Sequence, residues 1–237
     1  MRAGRWEEAW RIKDAQMAMR RDEACWHWPR HEQYAWRGDA IENQRVLVRC
    51  YHGLGDTIQF IRYMPMLRER AREVMVWIQP KLIPLVAGVK GIDRLLPLHE
   101  GAPQADFDVD IEIMELPHVF RTTILLIPSH VPYLHASPLP MPQDRRRAAV
   151  GLVWRAGEWD ARRSIPYAAL GRLFAIDGAE WFILQPDARA SGWPGDVGQW
   201  PGELNLLDYA RAVRAMDLLI TIDSMPAHMA GALGIPV

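Results

Sequence analysis

The chain has 237 residues, 49% of them hydrophobic, with 28 basic against 29 acidic side chains and a formal net charge of −1. That length and apolar content suit one large core or two modest ones, and the charge balance excludes a global field that would recruit nucleic acid or an anionic membrane surface. Cys25 and Cys50 share no CxxC spacing, which gives neither a disulfide framework nor a metal site and fits a reducing, cytoplasmic compartment.

The N-terminal stretch MRAGRWEEAW lacks an apolar signal core, and no apolar run approaches the length of about 18 residues that a membrane span needs. Residues Gly4 to Arg21 read as one amphipathic helix, with Trp6, Ala9, Trp10, Lys13 and Met17 at helical spacing. Five of the eleven tryptophans precede residue 37. A lone helix cannot bury them, so the helical segment 1–37 is expected to dock on the following domain or to belong to a helical repeat array.

From Arg45 strands and helices alternate. Arg45 to Cys50 reads as a strand, Tyr51 to Thr57 as a turn, and Ile58 to Arg70 as a helix with Ile58, Ile61, Met64 and either Leu67 or Met66 inward. Glu73 to Gln79 is the next strand, Lys81 to Val89 a short helix, Arg94 to Leu98 a third strand and Phe107 to Ile113 a fourth. In that fourth strand Asp106, Asp108, Asp110 and Glu112 share one face, which reads as a solvated edge strand or, alternatively, a cation site. This βαβ spacing predicts a mainly parallel, doubly wound sheet over residues 38–140.

Pro128 to Arg147 holds five prolines and three consecutive arginines and reads as a linker. A second series follows over residues 148–237: strand Ala148 to Trp154, helix Tyr167 to Phe174, strand Glu180 to Leu184, helix Leu207 to Met216 and strand Leu218 to Ile222. Asp223 and Ser224 are N-cap residue types, Pro226 suits a first helical turn, and Gly234 closes the helix. Such a turn aims backbone N–H groups and a helix dipole out of the carboxyl edge of a sheet, where an anion such as phosphate binds. The glycine turns lack the GxGxxG and GKS/T spacings, so dinucleotide and P-loop readings have no support.

The sequence resembles the glycosyltransferase family 9 proteins, the heptosyltransferase-like family, and within it the branch fused to tetratricopeptide repeats. The matching residues are Gly53-Leu54-Gly55-Asp56-Thr57 with Ile58-Gln59-Phe60, then Gly151-Leu152-Val153-Trp154, Arg163-Ser164-Ile165-Pro166, and Asp223-Ser224-Met225-Pro226-Ala227-His228 running into Ala230 to Gly234. The N-terminal Gly4, Trp6, Ala9 and Trp10 resemble half of one tetratricopeptide repeat.

The resemblance implies a GT-B-like α/β fold of two Rossmann-like domains, the second incomplete, with an acceptor at the first, a nucleotide-sugar donor at the second and the site in their cleft. It implies inverting transfer of a sugar from a nucleotide-diphosphate sugar to an acceptor hydroxyl, with no metal and no cofactor. Asp56 would be the general base, on a turn made tight by Gly53 and Gly55, and its alternative role is a helix cap. Arg163, Arg155, Asp223, Ser224 and His228 would bind the donor, and Arg162 could assist. The acceptor would be a protein or a lipopolysaccharide-type glycan. The alternative is a catalytically inactive, truncated homologue that acts as a protein-interaction module, with a protein partner engaged through the N-terminal helix.

Overall fold

A computed structural model of the chain describes residues 4–19, 36–144, 146–157 and 161–237. Cys25, Trp26 and Trp28 lie outside the described residues, as do Arg20 and Arg21 at the end of the expected first helix. The chain forms two compact units, residues 1–83 with 89–130 and residues 84–88 with 131–237.

In the first unit, strands β1 (Arg45–Arg49), β2 (Glu73–Ile78), β3 (Arg94–Pro97) and β4 (Val109–Glu112) form one sheet in the order β3-β2-β1-β4. All pairs are parallel. The β-branched residues Val46, Val48, Val74, Val76 and Ile111 are fully buried, as strands covered by crossover helices require.

Helices α2 (Leu54–Phe60) and α3 (Met64–Arg68) follow β1, joined by a 3-10 turn over Ile61–Tyr63. The single helix expected from Ile58 to Arg70 therefore starts four residues earlier and is interrupted. Pro65 accounts for the interruption, since its ring is tolerated only in a first helical turn. Ile58, Ile61, Met64 and Leu67 are buried, while Met66 is only half-buried, which settles Leu67 as the inward residue. Short helix α4 (Ile83–Val86) lies between β2 and β3 in the chain, and short helix α5 (Leu116–Val119) follows β4.

Helix α1 (Trp6–Met19) docks on this unit. The Trp10 indole N–H donates to the Thr122 carbonyl at 3.2 Å, and Lys13 pairs with Glu115 at 3.0 Å. One carboxylate oxygen of Asp14 accepts from both His118 Nε2, at 2.9 Å, and Arg121, at 2.8 Å. Burial pushes the His118 imidazole below its ordinary pKa despite Asp14, so the ring is neutral at neutral pH.

The acidic face of β4 differs from the expected solvated edge. The strand does lie at the sheet edge, but Asp110 is 9% and Glu112 1% exposed. Arg49 pairs with Asp110 at 2.9 Å, and Arg45 grips Asp108 through two nitrogens, holding that carboxyl at about 2. Asp106 and Asp108 stay exposed as expected, and only Asp110, beside Arg49, and Glu112 turn inward. Among the described residues no cluster of three or more His, Cys, Asp or Glu side chains could hold a metal ion.

The second unit carries the smaller sheet, β5 (Ala148–Leu152), β6 (Ala179–Ile183) and β7 (Leu218–Ile220), parallel and in the order β6-β5-β7. Helix α6 (Leu206–Arg214) precedes β7, and α7 (Met225–Leu233) follows it. Gly234 caps α7 in the left-handed conformation, φ 73°, which glycine adopts without cost. The helix expected over Tyr167 to Phe174 is only a 3-10 turn, Tyr167–Leu170. Pro166 stands at its N-cap and Gly171 at its C-cap, and these two residues limit the turn at both ends. Tyr167, Leu170 and Phe174 pack instead around the fully buried Trp154 and the buried Trp193.

Up to Asp144 the proline-rich segment has no helix or strand, yet it is not a loose linker. From Val131 it belongs to the second unit, where the Tyr133 and Leu134 N–H groups donate to Ala232 O, and Leu139 N–H donates to Arg211 O. Leu134 is buried. Among the described residues no helix is long and apolar enough to cross a membrane.

Candidate functional site

In both sheets the strand order reverses beside the first strand, between β1 and β4 and between β5 and β7. The crevice beyond the carboxyl ends of such strands is where open parallel sheets hold ligands. Each sequence-predicted site residue lies at one of these two places.

At the first reversal, β1 runs through Cys50-Tyr51-His52 into α2. Asp56 is the third residue of that helix, and its Oδ2 accepts from the Gly53 N–H at 3.1 Å. So Asp56 sits inside the helix, where a carboxylate also complements the positive helix end. The expected reason for the glycines does not hold. Gly53 has φ −64° and Gly55 lies within α2, so neither uses a conformation reserved for glycine. What Gly53 supplies is room, because a Cβ there would stand 3.3 Å from Asp56 Oδ2. Gln79, at the end of β2, fastens the turn by donating to His52 O at 2.6 Å and accepting from Thr57 Oγ1 at 3.1 Å.

Sequence reasoning gave Glu112 no part in this site. It closes β4, accepts from Met114 N–H at 2.7 Å, and lies 3.8 Å from His52 Nε2. Its Oε1 is buried with no hydrogen-bond partner among the described residues. Burial pushes this carboxyl up to about 7; the Met114 and Tyr51 N–H groups and Arg49 oppose the shift without cancelling it. The same burial pushes the neighbouring Cys50 thiol up, which makes it unreactive at neutral pH.

At the second reversal a cavity of about 420 Å³ opens, lined by Val153, Arg155, Gly157, Gln185, Asp187 and Ser224 among others. Gln185 was not anticipated either. It is 5% exposed, and its Oε1 accepts from the N–H groups of Trp154 (3.0 Å) and Arg155 (2.8 Å), fixing the loop after β5. The only signal in the sequence was a polar residue ending the apolar run Trp181 to Leu184.

Arg155 and Ser224 thus line one cavity. Arg163 reaches the turn before α7, donating to Asp223 O at 2.7 Å and lying 3.8 Å from its carboxylate. Neither Arg163, Asp223 nor His228 is among the cavity's lining residues. His228 is half-buried on the first turn of α7, and Arg162 is exposed. Ser224 occupies the N-cap position without capping, since its hydroxyl donates to Ile222 O at 3.3 Å instead. The Met225 N–H at the start of α7 therefore carries no side-chain cap, Pro226 has no N–H, and the Ala227 N–H donates to Ser224 O at 3.0 Å.

No protein-family model matches the chain, and no curated protein matches it. Solved structures do. The glycosyl transferase family 9 protein from Veillonella parvula aligns at 15% identity over 81% of this chain and 80% of its own, with a TM-score of 0.57. The Escherichia coli ADP-heptose lipopolysaccharide heptosyltransferase II aligns at 13% identity over 81% and 83%, TM-score 0.54. The E. coli heptosyltransferase WaaC, solved with ADP, aligns at 14% identity over 81% and 85%, TM-score 0.53. At such identities the likeness is one of fold: two parallel-sheet α/β units, the second smaller, as in these GT-B glycosyltransferases.

Proposed function

We propose that the chain is an inverting glycosyltransferase that moves a sugar from a nucleotide-diphosphate sugar to an acceptor hydroxyl. The observation that carries this reading is the 420 Å³ cavity at the carboxyl edge of the second sheet, with Arg155 on one side and Ser224, before uncapped α7, on the other. It lies in a fold whose neighbours include an enzyme solved with ADP. The Met225 N–H, the positive end of the α7 dipole and the Arg155 guanidinium would bind the diphosphate and stabilise its growing charge as it leaves. Arg163 would hold the Asp223 turn in place and add positive potential, and His228 would donate a hydrogen bond to a phosphate oxygen. These groups neutralise the leaving group without a metal.

In the first unit Asp56 would act as general base. It takes the proton of the acceptor hydroxyl while that oxygen forms a bond to the anomeric carbon. The bond from that carbon to the diphosphate oxygen breaks on the opposite face, so configuration inverts and the nucleoside diphosphate departs with the electron pair. The acceptor is proposed to be a glycan or protein hydroxyl, and the compartment cytoplasmic.

Calorimetric titration with ADP, GDP and UDP tests the donor site. Micromolar binding of one of them, weakened at least tenfold, or about 1.4 kcal/mol, in Arg155→Ala, supports the reading. Absence of binding by all three overturns it. One observation favours a second reading, an inactive homologue that serves as an interaction module: the Gly53 hydrogen bond gives Asp56 a structural role that needs no chemistry.

A further inference from the structure

A second cavity, of about 470 Å³, lies within the first unit between α1 and the segment that follows β4. Four aromatic rings line it, Trp6 and Trp10 of α1, Phe60 at the end of α2, and Tyr63, together with the charged Lys13, Arg62 and Glu115. The polar tips of two of these rings are already engaged, Trp10 by the Thr122 carbonyl and the Tyr63 hydroxyl by Thr122 Oγ1 at 3.2 Å. What Trp10 and Tyr63 leave to the cavity is ring surface. Size and lining both match a site for a small molecule with an apolar body.

Two lining residues bear on how an occupant sits. His118 lines the cavity and is 4% exposed; its Nε2 donates to Asp14, and its Nδ1 is buried with no partner among the described residues. With Nε2 bonded to Asp14 and Nδ1 sealed from solvent, His118 adds to the cavity wall without offering an open acceptor. Gln59 also lines the cavity, and it stands three residues after Asp56 on α2. Residues at that spacing share a helix face, their Cβ atoms about 5–6 Å apart. An occupant of the cavity therefore ends one helical turn from the Asp56 carboxylate.

We propose that this cavity binds the apolar ring of the acceptor, so that the acceptor class is a hydroxyl borne on or next to an aromatic or similarly ring-sized apolar group, such as an aryl glycoside. The assignment rests on the transferase reading for the word acceptor, but the binding site stands on the cavity alone. The indole and phenyl faces enclose the ring, and its hydroxyl-bearing part projects along α2 toward Asp56.

The test is calorimetric titration of the full chain with phenyl β-D-glucoside and, in parallel, methyl β-D-glucoside. At least tenfold tighter binding of the phenyl compound is expected, with the preference reduced to under threefold in Trp6→Ala. Trp6 is only half-buried, so this variant keeps its fold, as circular dichroism checks; Ile12→Ala, at an exposed lining residue, serves as the second variant and weakens the phenyl preference in the same direction. Equal binding of the two glucosides, binding of neither, or a preference unaltered in both variants overturns the proposal. Nucleoside diphosphate binding, measured separately at the second unit, distinguishes the failures. A phenyl preference without any nucleotide binding leaves the cavity assignment intact and removes the transferase reading; nucleotide binding without a phenyl preference does the reverse.

Discussion

Oε2 of Glu112 lies 3.8 Å from Nε2 of His52, at the carboxyl edge where the first sheet reverses its strand order. Burial, with a smaller push from Glu115, outweighs the Met114 and Tyr51 N–H groups and Arg49 and raises this carboxyl from an ordinary 4.5 to about 7. Between those two pH values the folded chain retains a proton that the unfolded chain has released. The stability this group contributes is complete below about pH 4.5 and is lost as pH rises through 7. Glu112→Gln, uncharged throughout, lacks this dependence. Relative to the parent it gains up to roughly 3 kcal/mol on going from pH 4.5 to pH 8. Urea unfolding at the two pH values measures the difference, and parallel pH profiles for both proteins refute it.

Asp56 separates its two roles by substitution. Asn keeps an oxygen that can accept from Gly53 N–H, but it cannot take a proton. Asp56→Asn is expected to hold stability within about 0.5 kcal/mol, whereas Asp56→Ala loses about 1 kcal/mol with the cap. If Asp56 is the base, both variants lose turnover by two orders of magnitude or more while nucleotide affinity is unchanged. Full turnover by Asp56→Asn would assign the carboxylate to the helix alone.

Gly151, in the middle of β5, tests the packing of the second sheet. A Cβ there would stand 2.8 Å from Leu219 Cδ1 and 2.9 Å from Leu184 Cδ1, distances that force both leucines to move. Gly151→Ala should destabilise the chain by about 1–3 kcal/mol, seen as a lower midpoint in thermal or urea unfolding. An unchanged midpoint would mean that the neighbouring side chains yield freely.

Gln185→Leu removes the acceptor shared by the Trp154 and Arg155 N–H groups and leaves both without it beside the cavity of the second unit. The cost is about 1–3 kcal/mol for each buried donor left without any partner. Because Arg155 lines that cavity, nucleotide affinity is expected to fall alongside stability. Gln185→Glu, which retains an acceptor, should fall less in both. Equal losses in the two variants would show that the amide group, not its carbonyl, is what matters.

How much of this could be read from the residues alone follows their physics. Runs such as Val46 to Val48 and Val74 to Ile78 announce buried parallel strands because little else tolerates so many apolar and β-branched residues in succession. The seven strands among the described residues lie where the sequence put them, within three residues at either end. Gly53-Leu54-Gly55 misled the reading, since two glycines imply a turn, yet Asp56 at the third helical position caps a helix that already includes Leu54 and Gly55. Glu112 and Gln185 were missed for a shared reason. A polar side chain ending an apolar strand is normally solvated, and only the tertiary structure shows these two sealed beneath loops. The Trp-rich helix was expected either to dock or to belong to a repeat array; its partners Glu115, His118, Thr122 and Arg121 could not have been named from local pattern.

The Trp10 to Thr122 hydrogen bond spans 112 positions of the chain, and that separation sets a timetable during synthesis. At about 5–20 residues per second the docking surface for α1 leaves the ribosome on the order of ten seconds after α1 itself. A 14-residue helix is marginally stable alone in water. Throughout that interval Trp6 and Trp10 have nowhere to hide, so the nascent chain presents a sticky, half-formed helix to whatever is near. Helix α1 is thus made more than a hundred residues ahead of the surface that buries it, and its folding waits on that surface.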